Sequence, residues 1–310
     1  MSPIADEIDR QLPAGDEIFL DHVAHFVRDG EVASRAFARA GFAPTPISIQ
    51  FGPDPAGGTK PTGTANVTAM FGRGYVEVLF KTAATPVDEF DAWLARHAGL
   101  HLAAFAVADA REAHQRLATN GFRVRPLVQM QRPVETEAGK VAAAFTIARV
   151  ELDVMPEGRI QMLTHHTEAA VWQKRWLTHP NSAIGLIDVV IAVADVEEAA
   201  RRFARFTGRA ATPTPGGGAL LRLDRGGVYL VSHHRLTVRL PEVAITKLPF
   251  MAGYVLRVRS LEAVETAAES AGLQWRALDG GDGIVAVFPA ELGEGAWYFV
   301  EHPSALPWRR

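Results

Sequence analysis

Two side chains capable of acid–base chemistry or metal binding stand in strongly apolar segments of this 310-residue chain. His22 lies in "IFLDHVAHFV" and Glu77 lies in "GYVEVLF". Alternation along a strand places Glu77 and Tyr75 on one face, and the opposite face is wholly apolar. A carboxylate in such surroundings is costly to bury unless it is paired, coordinated or protonated. We therefore expect Glu77 to point into a cavity as a general base or ligand; the alternative is a carboxylate hydrated in an open groove.

A second histidine, His25, follows three residues after His22. Since side chains on a strand alternate, the two histidines are predicted to face opposite sides of the sheet. With His22 inward, Leu20, Ala24 and Phe26 would share its face and form an apolar wall. His22 is then either a core histidine bonded to a backbone carbonyl or a residue that binds metal or substrate. His25 is interpreted as structural, between the sheet and a helix.

Further polar side chains lie on other predicted strands. Asn66 and Thr68 belong to a row that alternates with small apolar residues, and such a row could bind a substrate carbonyl or hydroxyl. Thr-rich strands are also common on solvated faces. Gln161 and His165 share a face of "RIQMLTHH", where the amide oxygen is a weaker ligand than a carboxylate. The predicted substrate contacts are Asn66, Thr68, Tyr75 and His165.

These residues are positioned by a weak internal repeat that occurs four times. Each copy has an apolar strand, then Asp or Ser where a helix N-cap is wanted, and Gly 12 or 13 residues later where a left-handed C-cap is wanted. The capping residues are Asp29, Asp109, Asp195 and Ser260. Apolar strands with Gly-containing turns follow each helix. The unit is predicted as β-α-β-β-β, and two units side by side can enclose a cavity that one alone leaves open.

The repeats predict an α+β chain of two domains, each built from two βαβββ units. We expect an N-terminal extension over residues 1–16 and a first domain over 17–163. An interdomain helix and linker would follow over 164–183, and a second domain over 184–310. With 48% hydrophobic and 22% charged residues, the composition is that of a globular protein.

Charge and composition narrow the classes of partner. The 32 basic and 35 acidic residues are spread along the chain without a basic block, so nucleic acid is not expected. No run of about 18 apolar residues suggests a membrane span, and the N-terminus has no signal-peptide core, so a cytoplasmic location is expected. The chain has no cysteine, so a metal would have to use His, Glu, Asp or Gln. A small molecule is the expected partner, and a homodimer is left open.

The four-unit pattern, from about Glu17 to His302, resembles the vicinal oxygen chelate superfamily of glyoxalase I, extradiol dioxygenases and bleomycin resistance proteins. More narrowly, "LDHVAHFVRD" and "MLTHHTEAAVWQKRWLTHPNSAIGL" look like the glyoxalase-like branch of that superfamily. The resemblance implies two domains of the glyoxalase/bleomycin-resistance/dioxygenase type. It also implies ligands at the middle of the first strand and on the last strand of each unit, facing the cavity. This fold hosts isomerases, lyases, dioxygenases and binding proteins.

The capping residues show which side chains stand at those positions. Seven residues before each cap are His22, Leu102, Asp188 and Gly253. The matching residues on the closing strands are Glu77, Gln161, Tyr229 and Tyr298. The resemblance thus implies a metal site in the first domain, formed by His22, Glu77 and Gln161, with Leu102 in place of a fourth ligand. The second domain would carry a degenerate site.

The leading hypothesis is a lyase, isomerase or oxygenase that acts in domain 1 on a small oxygen-bearing metabolite. A divalent Zn, Ni, Mn or Fe ion would hold two neighbouring oxygens of the substrate, and Glu77 would be the catalytic residue that moves the proton. The alternative is a metal-free protein of the bleomycin-resistance type that sequesters a small molecule. Leu102 and the degenerate second domain favour that alternative. A third possibility is a protein that works through association, with an exposed apolar patch on its outer strands.

Overall fold

A computed structural model describes residues 9–82 and 88–310, so residues 1–8 of the predicted N-terminal extension lie outside the described residues. The first unit comprises β1 (Ile18–Phe26), α1 (Gly30–Arg39), β2 (Ser48–Pro53), β3 (Thr59–Met70) and β4 (Tyr75–Lys81). A short helix follows, α2 (Glu89–Leu94). The second unit comprises β5 (Gly99–Val107), α3 (Ala110–Thr119), β6 (Val128–Thr136), β7 (Gly139–Arg149) and β8 (Arg159–His165).

The second half repeats the same order of elements. The connection contains α4 (Glu168–Val171) and a 3-10 turn (Lys174–Trp176). The third unit comprises β9 (Ala183–Val193), α5 (Val196–Thr207), β10 (Ala211–Thr214), β11 (Gly218–Arg222) and β12 (Gly227–Ser232), and α6 (His233–Arg239) follows it. The fourth unit comprises β13 (Phe250–Val258), α7 (Leu261–Ser270), β14 (Trp275–Ala277), β15 (Gly283–Val287) and β16 (Ala296–Val300). The predicted α+β class with four βαβββ units is confirmed.

The helix of each unit begins at the predicted capping residue. The Asp29 side chain accepts a hydrogen bond from the backbone N–H of Val32, and Asp109, Asp195 and Ser260 cap their helices in the same way. Each cap satisfies a backbone donor that the first helical turn leaves without a partner. At the other end, Gly208 adopts φ 73°, the left-handed conformation that terminates α5.

The strands of the first half form a closed barrel, whereas those of the second half form a sheet with two edges. Strands of the first two units close into a barrel of order β1-β4-β3-β2-β6-β7-β8-β5, in which β1 runs antiparallel to β5 and Phe51 of β2 pairs with Gln131 of β6. The last two units form an eight-stranded sheet whose edges are β10 and β14. A closed barrel encloses an interior, and this interior contains the predicted site.

The parallel strand register is the same in all four units. The register pairs His22 with Tyr75, Leu102 with Arg159, Asp188 with Gly227, and Gly253 with Ala296. Glu77, Gln161, Tyr229 and Tyr298 each stand two residues farther along the closing strand. Because side chains alternate, each of them faces the same side as its paired position. The positions matched by counting from the caps are therefore equivalent in space.

Two apolar regions lie on either side of the barrel wall. The outer faces of the strands share a core with the unit helices and with the second half, where Phe37 stacks on Trp297 and Phe105 contacts Phe206. A smaller cluster lies inside the barrel and includes Phe26. In the described ranges, no helix is long and apolar enough to cross a membrane.

Candidate functional site

A cavity lies inside the barrel of the first two units. Apart from arginines, the polar residues that line it are mainly His22, Gln50, Asn66, Tyr75, Glu77 and Gln161. Its apolar lining comes from Leu79, Leu102, Met130, Phe145, Ile147 and Leu163. The empty space between the lining side chains, including the part open to solvent, is about 540 Å³. An apolar wall with a few convergent polar groups is typical of a small-molecule site.

A bulge in β1 determines which side chains accompany His22. Leu20 pairs with Phe105 and His22 pairs with Ala104, so Asp21 is skipped in the register. At a bulge, alternation fails, and two successive side chains can face the same side. Asp21 therefore joins His22, with its Oδ2 2.7 Å from His22 Nδ1. The prediction that Leu20 shares the face of His22 is wrong, because Leu20 lies in the core outside the barrel.

Asp21 is a buried carboxylate held between two histidines. Its second oxygen, Oδ1, accepts a hydrogen bond from His165 Nε2 at 2.9 Å. Burial alone would raise the pKa of Asp21, but the positive charge and hydrogen bonds of His165 and His22 outweigh burial and lower it well below its usual value. An ionised Asp21 accepts a hydrogen bond from the Nδ1–H of His22, so in the neutral imidazole the lone pair lies on Nε2. Strict alternation would place Asp21 on the face opposite His22, so the sequence alone did not indicate it as part of the site. The feature that could have indicated its role is an aspartate next to a histidine within an apolar strand.

Glu77 faces His22 across the cavity. Its Oε1 accepts hydrogen bonds from the side-chain amides of Asn66 and Gln50, which orient the carboxylate. Its Oε2 lies 3.9 Å from His22 Nε2. The ring of Tyr75 stacks on His22 at 4.4 Å. Burial, together with the negative charges of Asp21 and Glu77, raises the pKa of Tyr75 well above its usual value, so its hydroxyl keeps its proton.

The cavity includes most of the side chains that the sequence nominates. His22, Glu77, Gln161, Asn66 and Tyr75 all line it. The Gln161 Oε1, however, accepts a hydrogen bond from Arg149 Nε at 3.0 Å. The amide oxygen that was expected to bind a metal is thus oriented towards a guanidinium group.

Thr68 and His165 are absent from the lining that the described residues form. The Thr68 hydroxyl hydrogen-bonds the hydroxyl of Thr45 at 3.0 Å, and His165 bonds Asp21 behind the cavity wall. The structure therefore does not place these two side chains among the described residues that line the cavity. Both side chains are almost completely buried, and they support residues that line the cavity instead.

His25 is structural, but its partners differ from those expected. Its Nδ1 donates to the backbone oxygen of Leu292 at 2.9 Å, and its Nε2 lies 3.1 Å from the Tyr254 hydroxyl. Both partners belong to the fourth unit, so His25 connects the two halves of the chain. Burial lowers the pKa of His25 to about 4.

Three arginines that the sequence reasoning missed also line the cavity: Arg132 on β6, Arg149 on β7 and Arg159 on β8. Burial lowers the pKa of all three, and for Arg149 burial and the neighbouring Arg159 lower it to about 9, so the guanidinium stays charged at neutral pH. Arg159 stands two residues before Gln161, so alternation places it on the same face of β8 as Gln161, although the sequence alone indicated no role for it in the site. Arg132 and Arg149 offered no comparable signal, because charged strand residues usually face solvent.

Residues 20–207, more than half of the chain, match the family model described as a glyoxalase-like domain. The chain belongs to the glyoxalase-like domain family. The match spans the barrel from within β1, the connection, and the first strand and helix of the second half. It confirms the resemblance to the vicinal oxygen chelate superfamily. A comparison of the glyoxalase-like chain with curated proteins gives no match.

Several solved structures share the fold of this glyoxalase-like chain. A hypothetical protein from Staphylococcus aureus has a TM-score of 0.59 at 9% identity, covering 91% of this chain and 98% of its own. A mutant 4-hydroxymandelate synthase from Streptomyces coelicolor has a TM-score of 0.59 at 12% identity, and the match covers 92% of each chain. A Mn(II)-bound glyoxalase from Novosphingobium aromaticivorans has a TM-score of 0.53 at 12% identity, and the match covers 92% of this chain and 81% of the glyoxalase. At such identities the likeness extends to the fold alone.

The glyoxalase-like barrel does not offer the donor set of a three-ligand metal centre. Over residues 9–82 and 88–310, no three His, Asp or Glu side chains form a group that could hold a metal ion. His22 and Glu77 are two donors, the Gln161 oxygen is engaged by Arg149, and Leu102 fills the remaining matched position. Guanidinium groups in the same cavity repel a divalent cation. The residues present therefore do not fit the predicted metal.

The second half of the glyoxalase-like chain fills its matched position with its own C-terminal segment. Asp188, the counterpart of His22, accepts hydrogen bonds from Trp308 Nε1 at 2.9 Å and from Arg309 Nε at 2.8 Å. The Trp308 ring stacks on Tyr229 at 4.4 Å. A buried ion pair and a stacked indole thus occupy the space that is open in the barrel.

Proposed function

We propose that the barrel cavity is an active site in which His22 and Glu77 transfer a proton of a small organic substrate without a metal ion. The observation that carries the proposal is the 3.9 Å separation between His22 Nε2 and Glu77 Oε2 inside the cavity. This distance is too long for a hydrogen bond, so neither atom satisfies the other. Both remain available to a substrate.

Asp21 prepares His22 to act as the base. Because Asp21 accepts the Nδ1 proton, His22 Nε2 can take a proton from a carbon next to a substrate carbonyl. The electrons of the broken C–H bond move to the carbonyl oxygen and form an enolate. Asp21 and Glu77 both stabilise the imidazolium. Return of the proton to the same carbon gives hydrogen exchange. In a hydroxyketone, the hydroxyl proton moves to the enolate oxygen, and return of the carbon-bound proton to the former carbonyl carbon then completes an isomerisation. The same first step serves a lyase.

Tyr75 is suited to stabilise the enolate. Tyr75 lines the cavity, and its ring stacks on His22 at 4.4 Å. The raised pKa keeps the hydroxyl protonated, so it can donate to a developing negative oxygen. A donor placed in advance where charge develops lowers the barrier without reorganisation.

A metal-free binding protein is the second candidate, and the apolar part of the lining favours it. Leu79, Leu102 and Ile147 line one cavity with Phe145. Such a wall can hold an apolar body by burial alone. In this alternative, the pair of His22 and Glu77 would only orient the ligand.

The test measures proton exchange in metal-stripped protein. Small aldehydes, ketones and hydroxyketones are incubated in D₂O with protein whose metal content is first shown to be below the detection limit, and the loss of the C–H signal is followed by NMR. We expect exchange with the wild type, and a loss of about a hundredfold or more for His22→Ala and for Glu77→Gln. The matched controls His234→Ala and Glu197→Gln change exposed helix residues and should leave the rate unchanged.

Two results would overturn the proposal. Ligand binding without exchange by any probe would favour the binding protein. Exchange that appears only after Mn²⁺ or Zn²⁺ is added, and that disappears with chelator, would favour the metal-dependent alternative.

A further inference from the structure

Three guanidinium groups share the cavity with a single carboxylate. Arg132, Arg149 and Arg159 line it from the adjacent strands β6, β7 and β8, and Glu77 is the acidic residue among the described lining. Arg132 is only 7% exposed. Glu77 interacts electrostatically with all three arginines, so the charges lie in one neighbourhood.

In the part of the chain that the structure describes, the guanidinium groups of Arg132 and Arg159 form no close ion pair, although Glu77 acts on both from beyond ion-pair distance and Glu89 acts on Arg159. No carboxylate oxygen there lies within 4.0 Å of either group. Arg159 instead lies over the Phe26 ring at 5.1 Å, and Arg149 donates to the Gln161 amide. Glu77 is already engaged, since its Oε1 accepts from Asn66 and Gln50.

Two largely buried arginines elsewhere in the chain, each with a side chain that is 12% exposed, show the contrast. Arg202 pairs with the buried carboxylate of Glu157, and Arg309 pairs with that of Asp188. Burying a charge without a partner is costly, and proteins normally pair it or hydrate it. The cavity arginines therefore form a site that lacks its anion.

We infer that the substrate supplies this negative charge: it is a small organic oxyanion whose charged group binds Arg132 and Arg159 while its apolar body packs on Phe145 and Ile147. Guanidinium groups match carboxylate and phosphate oxygens in a planar, two-pronged geometry. The inference rests on the proposed function only in using the same cavity. It adds the chemical class of the substrate and a role for the arginines in binding and orienting it.

The oxyanion group would also place the substrate for reaction. Arg132 lines the same cavity as His22 and Glu77, so a substrate whose charged group binds Arg132 would hold its adjacent carbon in the space that His22 and Glu77 face. Arg132 and Arg159 are thus positioning residues for the proposed proton transfer. Their replacement should weaken substrate binding far more than it slows a bound substrate.

The experiment compares matched probes with metal-free full-length protein by calorimetry and thermal shift. Phenylacetate and phenyl phosphate carry an oxyanion on an aromatic body, and phenylacetamide has nearly the same shape without the charge. We expect at least one oxyanion probe to bind at least about tenfold more tightly than phenylacetamide. Preference between phenylacetate and phenyl phosphate identifies whether the head is a carboxylate or a phosphate.

Variants separate a binding role from a structural one. Arg132→Gln and Arg159→Gln should abolish the oxyanion preference and raise the melting temperature of the ligand-free protein, because each removes an unpaired buried charge. Arg132→Met tests the same point without leaving a buried amide. The control Arg111→Gln alters an exposed helix residue and should change neither property. A purely structural arginine would instead lower the melting temperature when replaced.

The inference is overturned if phenylacetamide binds as tightly as both oxyanion probes and the Arg132 and Arg159 variants are less stable than the wild type. The two proposals fail separately. Oxyanion binding without proton exchange would remove only the proposed function, whereas proton exchange on neutral carbonyl compounds with no oxyanion preference would remove only this inference.

Discussion

Nδ1 of His22 lies 2.7 Å from Oδ2 of Asp21, and both side chains are buried at a bulge in β1. The same carboxylate accepts from Nε2 of His165 at 2.9 Å. The carboxylate of Asp21 therefore determines which ring nitrogen carries the proton in both His22 and His165. Only one of those histidines, His22, faces the cavity.

Asp21→Asn should disturb the tautomers of both histidines. The amide can accept through one atom only, so one histidine loses its acceptor, and we expect the free energy of unfolding to fall by about 1–3 kcal/mol. Imidazole ¹⁵N shifts should report a single Nδ1–H tautomer for His22 in the wild type and a mixture in the variant. Asp153→Asn, on an exposed turn, is the control. Unchanged ¹⁵N shifts in Asp21→Asn would contradict the assignment.

A metal site should appear when its missing donors are restored. Leu102→His combined with Gln161→Glu places ligands at all four matched positions, whereas the wild type offers His22 and Glu77 alone. We expect Zn²⁺ or Mn²⁺ to raise the melting temperature of the double variant, with one equivalent retained after dialysis, and to leave the wild type unchanged. Val238→His adds an exposed histidine and controls for unspecific binding. Stoichiometric retention by the wild type would refute this prediction.

The ion pair between Asp188 and Arg309 should stabilise the second half strongly. Asp188 is fully buried and the Arg309 side chain is 12% exposed, so Arg309→Met leaves a buried carboxylate without its partner. We expect a loss of about 3–5 kcal/mol in the free energy of unfolding, measured with urea. Adding Asp188→Asn should recover part of that loss, because the unpaired charge is gone. Arg310→Met, at an exposed position, should have little effect; an equal loss there would argue against the pair.

Stability should decline as the pH falls from about 7 to about 4. Burial lowers the pKa of His25, His97 and His179 to about 4 and that of His101 to about 3, from a usual value of 6.5. In this pH range the unfolded chain binds protons that the folded chain does not, so acid favours unfolding. Each such histidine contributes a slope of up to about 1.4 kcal/mol per pH unit.

His25 offers a direct measurement of one such contribution. Urea unfolding of His25→Gln at several pH values should show a shallower decline than the wild type, whatever the variant's absolute stability. His234→Gln, an exposed histidine, should reproduce the wild-type slope. Identical slopes for His25→Gln and the wild type would mean that His25 titrates with the same pKa in the folded protein as in the unfolded chain.

Much of the fold could be predicted because its signals are local. The caps at Asp29, Asp109, Asp195 and Ser260 each satisfy nearby backbone donors, so the residues themselves mark the helix starts. Counting from the caps then matched His22 with Leu102 and Glu77 with Gln161. The constant parallel register makes that count valid in three dimensions.

The rest of the site depends on departures from regular structure. Alternation placed Leu20 beside His22, but the bulge brings Asp21 there instead. Thr68 followed the pattern of Asn66 yet bonds Thr45, which approaches from a loop. A periodic pattern does not contain such information.

The sequence alone determined the four βαβββ units, the pairing of units, and the presence of a histidine and a carboxylate at equivalent inward positions, because caps, turns and alternation act over a few residues. Tertiary structure decided the environment of those groups. Closing the barrel placed Arg132, Arg149 and Arg159 around the cavity that Glu77 lines, and folding back the C-terminal segment paired Arg309 with Asp188. Charge and burial depend on neighbours distant in sequence, so only the tertiary structure shows that arginines line the barrel cavity and that the C-terminal segment fills the matched position in the second half.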